Sequence, residues 1–232
     1  MIRNLSVLGL ILGRGGSKGL PRKNVLPLNG VPVVAWTIRA ALKSAYLDRI
    51  VVSSDDQEII DAAVTAGAEA PFTRPPELAA DTTSINPVII HALDAIDAAY
   101  DLVVVLQASS PLRNEADIDA AIERLVETDA PTCLSVNETL APPFQTFTIN
   151  PEGCLKTVIG DRLADLRRQD MPDTFQLNGA VVVLKTQWFR RNLALWTPET
   201  VGSIIPFERA VDIDTRTDFE LAEFFAGRQV KT

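Results

Sequence analysis

Two stretches of the 232-residue chain combine residue types that could do chemistry together. In the first, Gly13 to Asn24, four glycines (Gly13, Gly15, Gly16, Gly19) are interleaved with four cations (Arg14, Lys18, Arg22, Lys23). Glycines let backbone N–H groups approach a ligand without a Cβ in the way. Cations at that density repel one another unless something anionic sits between them, as a nucleoside triphosphate would; a solvated basic loop is the bland alternative. In the second stretch, Asp212-Ile213-Asp214 sets two carboxylates two residues apart. On extended backbone, positions i and i+2 share a face. Carboxylates held that close raise each other's pKa unless a cation intervenes. A hard divalent ion with oxygen ligands, Mg²⁺ above all, resolves the repulsion and bridges to phosphate. Two solvated acids at a strand end are the alternative.

A third polar cluster joins Arg167-Arg168-Gln169-Asp170 to Asn178-Gly179-Ala180. Arginine forks suit carboxylate recognition, and an asparagine amide both donates and accepts. A solvated basic turn accounts for the same residues. Two familiar phosphate motifs do not fit the first stretch. A Walker-type loop needs its hydroxyl after the lysine, whereas Ser17 precedes Lys18. The dinucleotide fingerprint can begin at Gly13 and Gly15, but Lys18 stands at its last glycine, and Asp55 and Asp56 follow too late for the ribose acid.

The elements that must position these residues read as α/β. Val7 to Leu12 is an apolar run of the kind that forms a strand buried on both faces. Val31 to Lys43 has helical spacing, Arg49 to Ser53 is a strand, and Asp56 can cap a helix that Gly67 ends. Glu69 to Phe72 is a very short strand, Val88 to Ile96 a helix, Leu102 to Leu106 a central strand, Glu115 to Val126 a helix and Thr132 to Val136 a strand. This alternation predicts a mainly parallel sheet with right-handed crossovers, whose carboxyl edge carries the loops from Thr73 to Ser84 and Gln107 to Arg113. From Ala141 to Asp173 the rhythm changes to short alternating pieces, including Gln145 to Ile149 and Leu155 to Ile159. We read this span as an antiparallel insertion within a single domain of residues 1–232. It is too small to bury much area alone and is suited to packing on a second subunit. Ala180 to Leu184 returns to strand, Ile204 to Phe207 with Val211 to Ile213 closes the sheet, and Thr217 to Phe225 is a last helix.

Composition excludes several classes. A net charge of −8, with the positive charge local, argues against nucleic-acid and membrane-surface binding, which need a broad basic surface. No apolar run approaches a membrane span and the N-terminus lacks a signal-peptide pattern, so the expected location is cytoplasmic. Cys133 and Cys154 lack metal-ligand spacing and are expected to be reduced and structural. His91 is the only histidine, which rules out a multi-histidine metal site and leaves triad hydrolysis without support.

In order along nearly the whole chain, RGGSKGLPRKN, VVSSDD, FTRPPELAADTTS, LQASSPLR, RRQD, NGA and VDIDT resemble the CMP-sialic acid synthetase (acylneuraminate cytidylyltransferase) family. The resemblance implies a Rossmann-like three-layer α/β nucleotidyltransferase fold with a small antiparallel dimerisation arm at 141–173, acting as a homodimer. It implies Mg²⁺ and the reaction of CTP with a 2-keto-3-deoxy nonulosonic acid to give the CMP-sugar and pyrophosphate. Arg14, Lys18 and Lys23 match the loop positions that hold the triphosphate, with Gly15, Gly16, Ser17 and Asn24 beside them. Arg74 and Ser84 fall where the cytosine and ribose are read. Gln107 and Asn178 match sugar-contacting positions, Arg168 an arginine crossing from the partner subunit, and Asp212 and Asp214 the metal pair. Arg14, Lys23, Asp212 and Asp214 are the expected catalytic set.

The chain departs from the family pattern at Gly13, in place of alanine, and at Ala108-Ser109, where proline-threonine is frequent. The intact SKGLPRKN string points to a nine-carbon acid, N-acetylneuraminate ahead of a bacterial relative such as legionaminate. The alternatives are a 3-deoxy-manno-octulosonate cytidylyltransferase, an NAD-dependent oxidoreductase and a non-catalytic nucleotide-binding module.

Overall fold

The computed structural model describes residues 2–159 and 167–229. Its first strand, β1 (Val7–Leu12), is buried at all six positions, as a run with no polar face must be. It lies between β4 (Arg49–Ser53) and β5 (Leu102–Gln107), parallel to both. Among the described residues the main sheet has six strands in the order β10-β6-β9-β5-β1-β4, with β6 at Thr132–Glu138, β9 at Phe175–Lys185 and β10 at Val201–Ile204. β9 runs antiparallel between β5 and β6, and the rest of the sheet is parallel. Two short strands, β2 (Pro27–Leu28) and β3 (Val31–Pro32), pair beside the loop that follows β1.

Helices cover both faces. α1 (Val33–Lys43), α2 (Gln57–Ala66) and α4 (Glu115–Thr128) bury Ile38, Ile59, Ala63, Ile118 and Ile122 against β-strand residues such as Ile11, Val52 and Val104. α3 (Ile85–Ala95) packs Val88, Ile89 and Leu93 on the opposite face against Leu8, Leu10 and Val103. Each of the larger of these side chains, the leucines, isoleucines and valines, stabilises the fold by about 1.5–3 kcal/mol on full burial. The Asp56 carboxylate accepts from the Ile59 amide at the start of α2, and Gly67 ends that helix in the left-handed region, as read from sequence. α4 carries a capping box between Asn114 and Asp117.

Four elements differ from the sequence reading. Val211 to Ile213 is not a strand: Val211 and Ile213 pack with Leu28, Val33 and Leu112 and with Phe219 and Ala222 of α6 (Arg216–Gln229). Their apolar alternation is thus satisfied by a helix rather than a ladder, and the sheet edge is formed earlier, by β10. Glu69 makes only an isolated bridge to Val51. A seven-residue helix, α5 (Thr186–Asn192), follows β9 directly and escapes periodicity because it spans barely two turns. Ile85 begins α3 three residues earlier than its apolar spacing indicates.

The span after β6 contains an antiparallel hairpin, β7 (Phe147–Ile149) with β8 (Leu155–Thr157). One of its faces leaves large apolar side chains exposed, Phe147 with the cross-strand pair Ile149 at 72% and Leu155 at 64%. Cys133 is buried in the main sheet, where burial pushes its thiol up to about 12, and Cys154 is exposed beside the hairpin turn.

Candidate active site

The carboxyl ends of β1, β4 and β5 release their chains at one edge of the sheet, so three loops converge there. The first runs from Gly13 to the 3-10 turn Lys23–Val25. It is anchored by its own residues: the Asn24 side chain, 3% exposed, donates to the Arg14 carbonyl at 3.0 Å, and the Gly15 amide donates to Asp55 Oδ1 at 3.1 Å. Two glycines answer to packing. A Cβ at Gly15 would come within 2.5 Å of Asp56 Oδ2, and one at Gly19 within 2.4 Å of the Asp214 carbonyl oxygen. A Cβ at Gly16 would meet none of the described residues within 4 Å beyond its chain neighbours, so that backbone is open to a ligand.

Every loop cation faces a carboxylate. Arg14 Nη1 lies 2.5 Å and Lys18 Nζ 2.6 Å from the two oxygens of Asp81, so one carboxylate bridges both. The two cations hold that carboxyl below its ordinary range, Lys18 first and then Arg14. Arg22 pairs with Asp56 at 2.6 Å and with Glu58. Lys23 Nζ reaches Asp214 Oδ1 at 2.7 Å and the Ile213 carbonyl at 2.6 Å.

A cleft of about 210 Å³ opens beside this loop, lined among others by Arg14, Lys23, Asn24, Arg74, Thr83 and Gln107. Arg74 is 4% exposed and fixed to Ser53 through Nε–Oγ at 3.0 Å and Nη2–O at 2.5 Å. Burial pulls its guanidinium down to about 10 against the attraction of Asp55, which leaves it cationic at neutral pH. Ser84 sits at the N-terminal end of α3, exposed and without a capping bond; its neighbours Thr83 and Ile85 line the cleft in its place.

A second cleft of about 460 Å³ is lined by Asn178, Gly179 and Asp212 on its polar side and by Leu177, Phe207 and Leu221 on its apolar side. Asn178 Oδ1 accepts from Ser135 Oγ at 2.5 Å and from the Ala180 amide at 3.1 Å, and its amide nitrogen donates to Asn137 Oδ1 at 3.3 Å. The side chain is therefore held at the irregularity where β6 meets β9. The two clefts adjoin at Gln107, which lines the first: a Cβ on Gly179 would lie 3.9 Å from Gln107 Cγ.

Asp212 and Asp214 lie on irregular backbone tied to the loop after β5 by the Ile213 amide, which donates to Ser109 O at 2.8 Å. Asp212 accepts from Ser110 Oγ at 3.3 Å and Asp214 from Lys23. Among the described residues no cluster of three or more His, Cys, Asp or Glu is arranged to hold a metal. Two carboxylates suffice for Mg²⁺ when phosphate oxygens and water complete its shell, so the donor set fits that ion with a triphosphate alongside. His91 packs edge-on against Phe72, their ring centroids 5.2 Å apart, and does not line either cleft.

Of the residues singled out from sequence, Arg14, Lys23, Asn24, Arg74 and Gln107 share the first cleft, and Asn178 and Asp212 share the second. Asp214 joins them through Lys23. Gly16, Ser17 and the largely exposed Lys18 form the outer part of the loop. Arg168 begins the turn Arg168–Asp170, and its side chain lies outside the described residues. Sequence reading missed Asp81 as the partner of Arg14 and Lys18. The one signal for it was an acid opposite a cationic loop.

Comparison with known proteins places these features in a lineage. The family model described as "Cytidylyltransferase" matches residues 8–223. The chain is 31% identical over 219 residues to the pseudaminic acid cytidylyltransferase of Campylobacter jejuni, covering 93% of this chain and 94% of that protein. It is 31% identical over 223 residues to the CMP-N,N'-diacetyllegionaminic acid synthase of Legionella pneumophila, covering 94% and 95%. It is 32% identical over 214 residues to the N-acylneuraminate cytidylyltransferase of Streptococcus agalactiae, spanning 90% of this chain but 51% of that one. Among solved structures, CMP:2-keto-3-deoxy-manno-octonic acid synthetase complexed with CTP superposes with a TM-score of 0.74 at 14% identity, over 97% of this chain and 99% of that one. At that identity the match establishes the Rossmann-like fold alone.

Proposed function

Because the chain belongs to the CMP-sialic acid synthetase-like cytidylyltransferases and is a nucleotidyltransferase, we propose that it transfers CMP from CTP to the anomeric hydroxyl of a nonulosonic acid and releases pyrophosphate. The observation that carries this reading is the meeting of two clefts at Gln107: one lined by Arg14, Lys23 and Arg74, the other by Asn178 and Asp212. Cations on one side suit a triphosphate, and amides beside a partly apolar wall suit an acylated sugar acid.

The acceptor hydroxyl oxygen attacks the α-phosphorus, the new O–P bond forms and the bond to the β-phosphate breaks. Lys23, Arg14 and Lys18 balance the charge that builds on the leaving pyrophosphate, so the protein's contribution is positioning and electrostatics. Mg²⁺, held by Asp212 and Asp214, would supply further charge neutralisation at the phosphates. With no histidine lining either cleft, the hydroxyl proton leaves to a carboxylate or to water.

For the acceptor we favour the bacterial acids over the N-acetylneuraminate to which the loop string points. Two relatives matched over almost their whole length are named for pseudaminic and diacetyllegionaminic acid. The methyl groups of two acetyl substituents would suit Leu177, Phe207 and Leu221. The test is pyrophosphate release with CTP, UTP, ATP and GTP against N-acetylneuraminate, the pseudaminic and legionaminic acids and an eight-carbon acid. We expect CTP with a diacetylated nonulosonic acid to be the fastest pair. Equal turnover with UTP would overturn the nucleotide assignment, and preference for the eight-carbon acid would overturn the acceptor.

A further inference from the structure

We propose that Arg113 is a positioning residue for the transfer, acting through Gln107 without touching either substrate; this rests on the cytidylyl-transfer reading above. Arg113 is 2% exposed and lines neither cleft. It stands in the loop between the end of β5 and the start of α4. Its Nη2 donates to the carbonyl oxygen of Gln107. That carbonyl also receives the Ser110 amide at 3.3 Å and the Thr37 hydroxyl at 3.4 Å, so the residue where the two clefts adjoin is gripped from three directions.

The other half of the guanidinium is uncommitted. Nε and Nη1 are buried and have no hydrogen-bond partner among the described residues. A buried cation with idle donors is costly unless a carboxylate answers it. Two carboxylates act on it, Asp212 more strongly than Asp117. Asp117 is already engaged by both arms of Arg209, at 2.8 Å each. Asp212 has the Ser110 hydroxyl at 3.3 Å and spare acceptor capacity. One planar, rigid fork therefore holds the Gln107 backbone at the meeting of the two clefts, with the charge of Asp212 offsetting part of the cost of its burial. A guanidinium does this through geometry that an ammonium lacks.

The test compares Arg113→Lys and Arg113→Ala with the wild-type chain, by steady-state pyrophosphate release and by calorimetric CTP binding without acceptor. We expect kcat to fall about 10- to 100-fold, the range for loss of an outer-shell partner. The CTP dissociation constant should stay within about threefold, since Arg14 and Arg74 are held by other contacts. Millimolar guanidinium, and not urea, should restore part of the turnover of Arg113→Ala. Arg113→Lys keeps the charge and most of the volume, so it carries the comparison if the cavity in Arg113→Ala unfolds the chain. Wild-type kcat in Arg113→Lys, loss of CTP affinity in step with kcat, or equal rescue by urea would overturn the proposal. A wild-type chain that turns over no CTP with any nonulosonic acid would instead strike the cytidylyl-transfer reading on which the proposal stands.

Discussion

The ammonium of Lys23 lies 2.7 Å from a carboxylate oxygen of Asp214, a contact between residues 191 positions apart. It joins the loop after β1 to the acidic segment, so each group determines how free the other is to meet a ligand. Lys23 is mostly buried, its side chain 12% exposed, whereas Asp214 is mostly solvated. The solvated acid can reorient while the ammonium stays in place.

From this follows an asymmetry in the Asp214→Asn variant. Turnover should drop on the order of 100-fold, the scale of removing a preorganised electrostatic contact. CTP affinity measured without Mg²⁺ should hold or rise, because Lys23 is released toward phosphate. Near-normal activity in a folded variant would reduce Asp214 to a solvated acid and remove the proposed metal pair.

Asp81 occupies the charges that a triphosphate would need. Its replacement by asparagine should tighten the binding of CTP and of inorganic tripolyphosphate by roughly two- to fivefold, the reach of exposed ion pairs. The gain should shrink at high salt, where such pairs are screened. Weaker tripolyphosphate binding in Asp81→Asn would mean that the carboxylate organises Arg14 and Lys18 rather than competing for them.

The β7–β8 hairpin cannot be stable alone with Ile149 and Leu155 exposed, and we propose that a second subunit covers it. If Arg168 then reaches the neighbouring site, inactive Arg168→Ala and Asp214→Ala chains should regain activity when mixed. Each mixed dimer would hold one site lacking both groups and one intact site. Verified subunit exchange without recovery would confine Arg168 to its own chain.

Stability in acid should depend on Asp101. Its carboxylate accepts from the Ser6 amide and hydroxyl, both at 2.8 Å, and these bonds hold its pKa below the ordinary value. The contribution is therefore complete above about pH 4, the usual aspartate range, and fades as pH falls through the lower folded pKa. Asp101→Asn should lower Tm at pH 7 and narrow the gap to wild type at pH 3. An equal Tm deficit at both pH values would show that the charge plays no part.

Much of this molecule could be read from local pattern. Val7 to Leu12 carries no polar face, and Asp56 and Gly67 bracket α2 by residue chemistry alone. Elements set by tertiary context were harder. Val211 and Ile213 alternate like a strand yet pack on α6, and β9 gives no local sign that it runs antiparallel between two parallel neighbours. The same holds within the candidate site. Arg14, Lys23 and Arg74 stand out by type, whereas Asp81 and Arg113 acquire their roles only from partners brought close by folding.

The missing side chain at Gly19, with the Asp214 carbonyl where a Cβ would lie, also orders events during synthesis. Within the chain, the loop is translated well before the segment it seats. A nascent chain therefore carries the basic loop unseated until the segment leading into α6 has been made. Proteolytic loss of that helix would undo the same closure from the other end, disabling the site without touching a single residue of the loop.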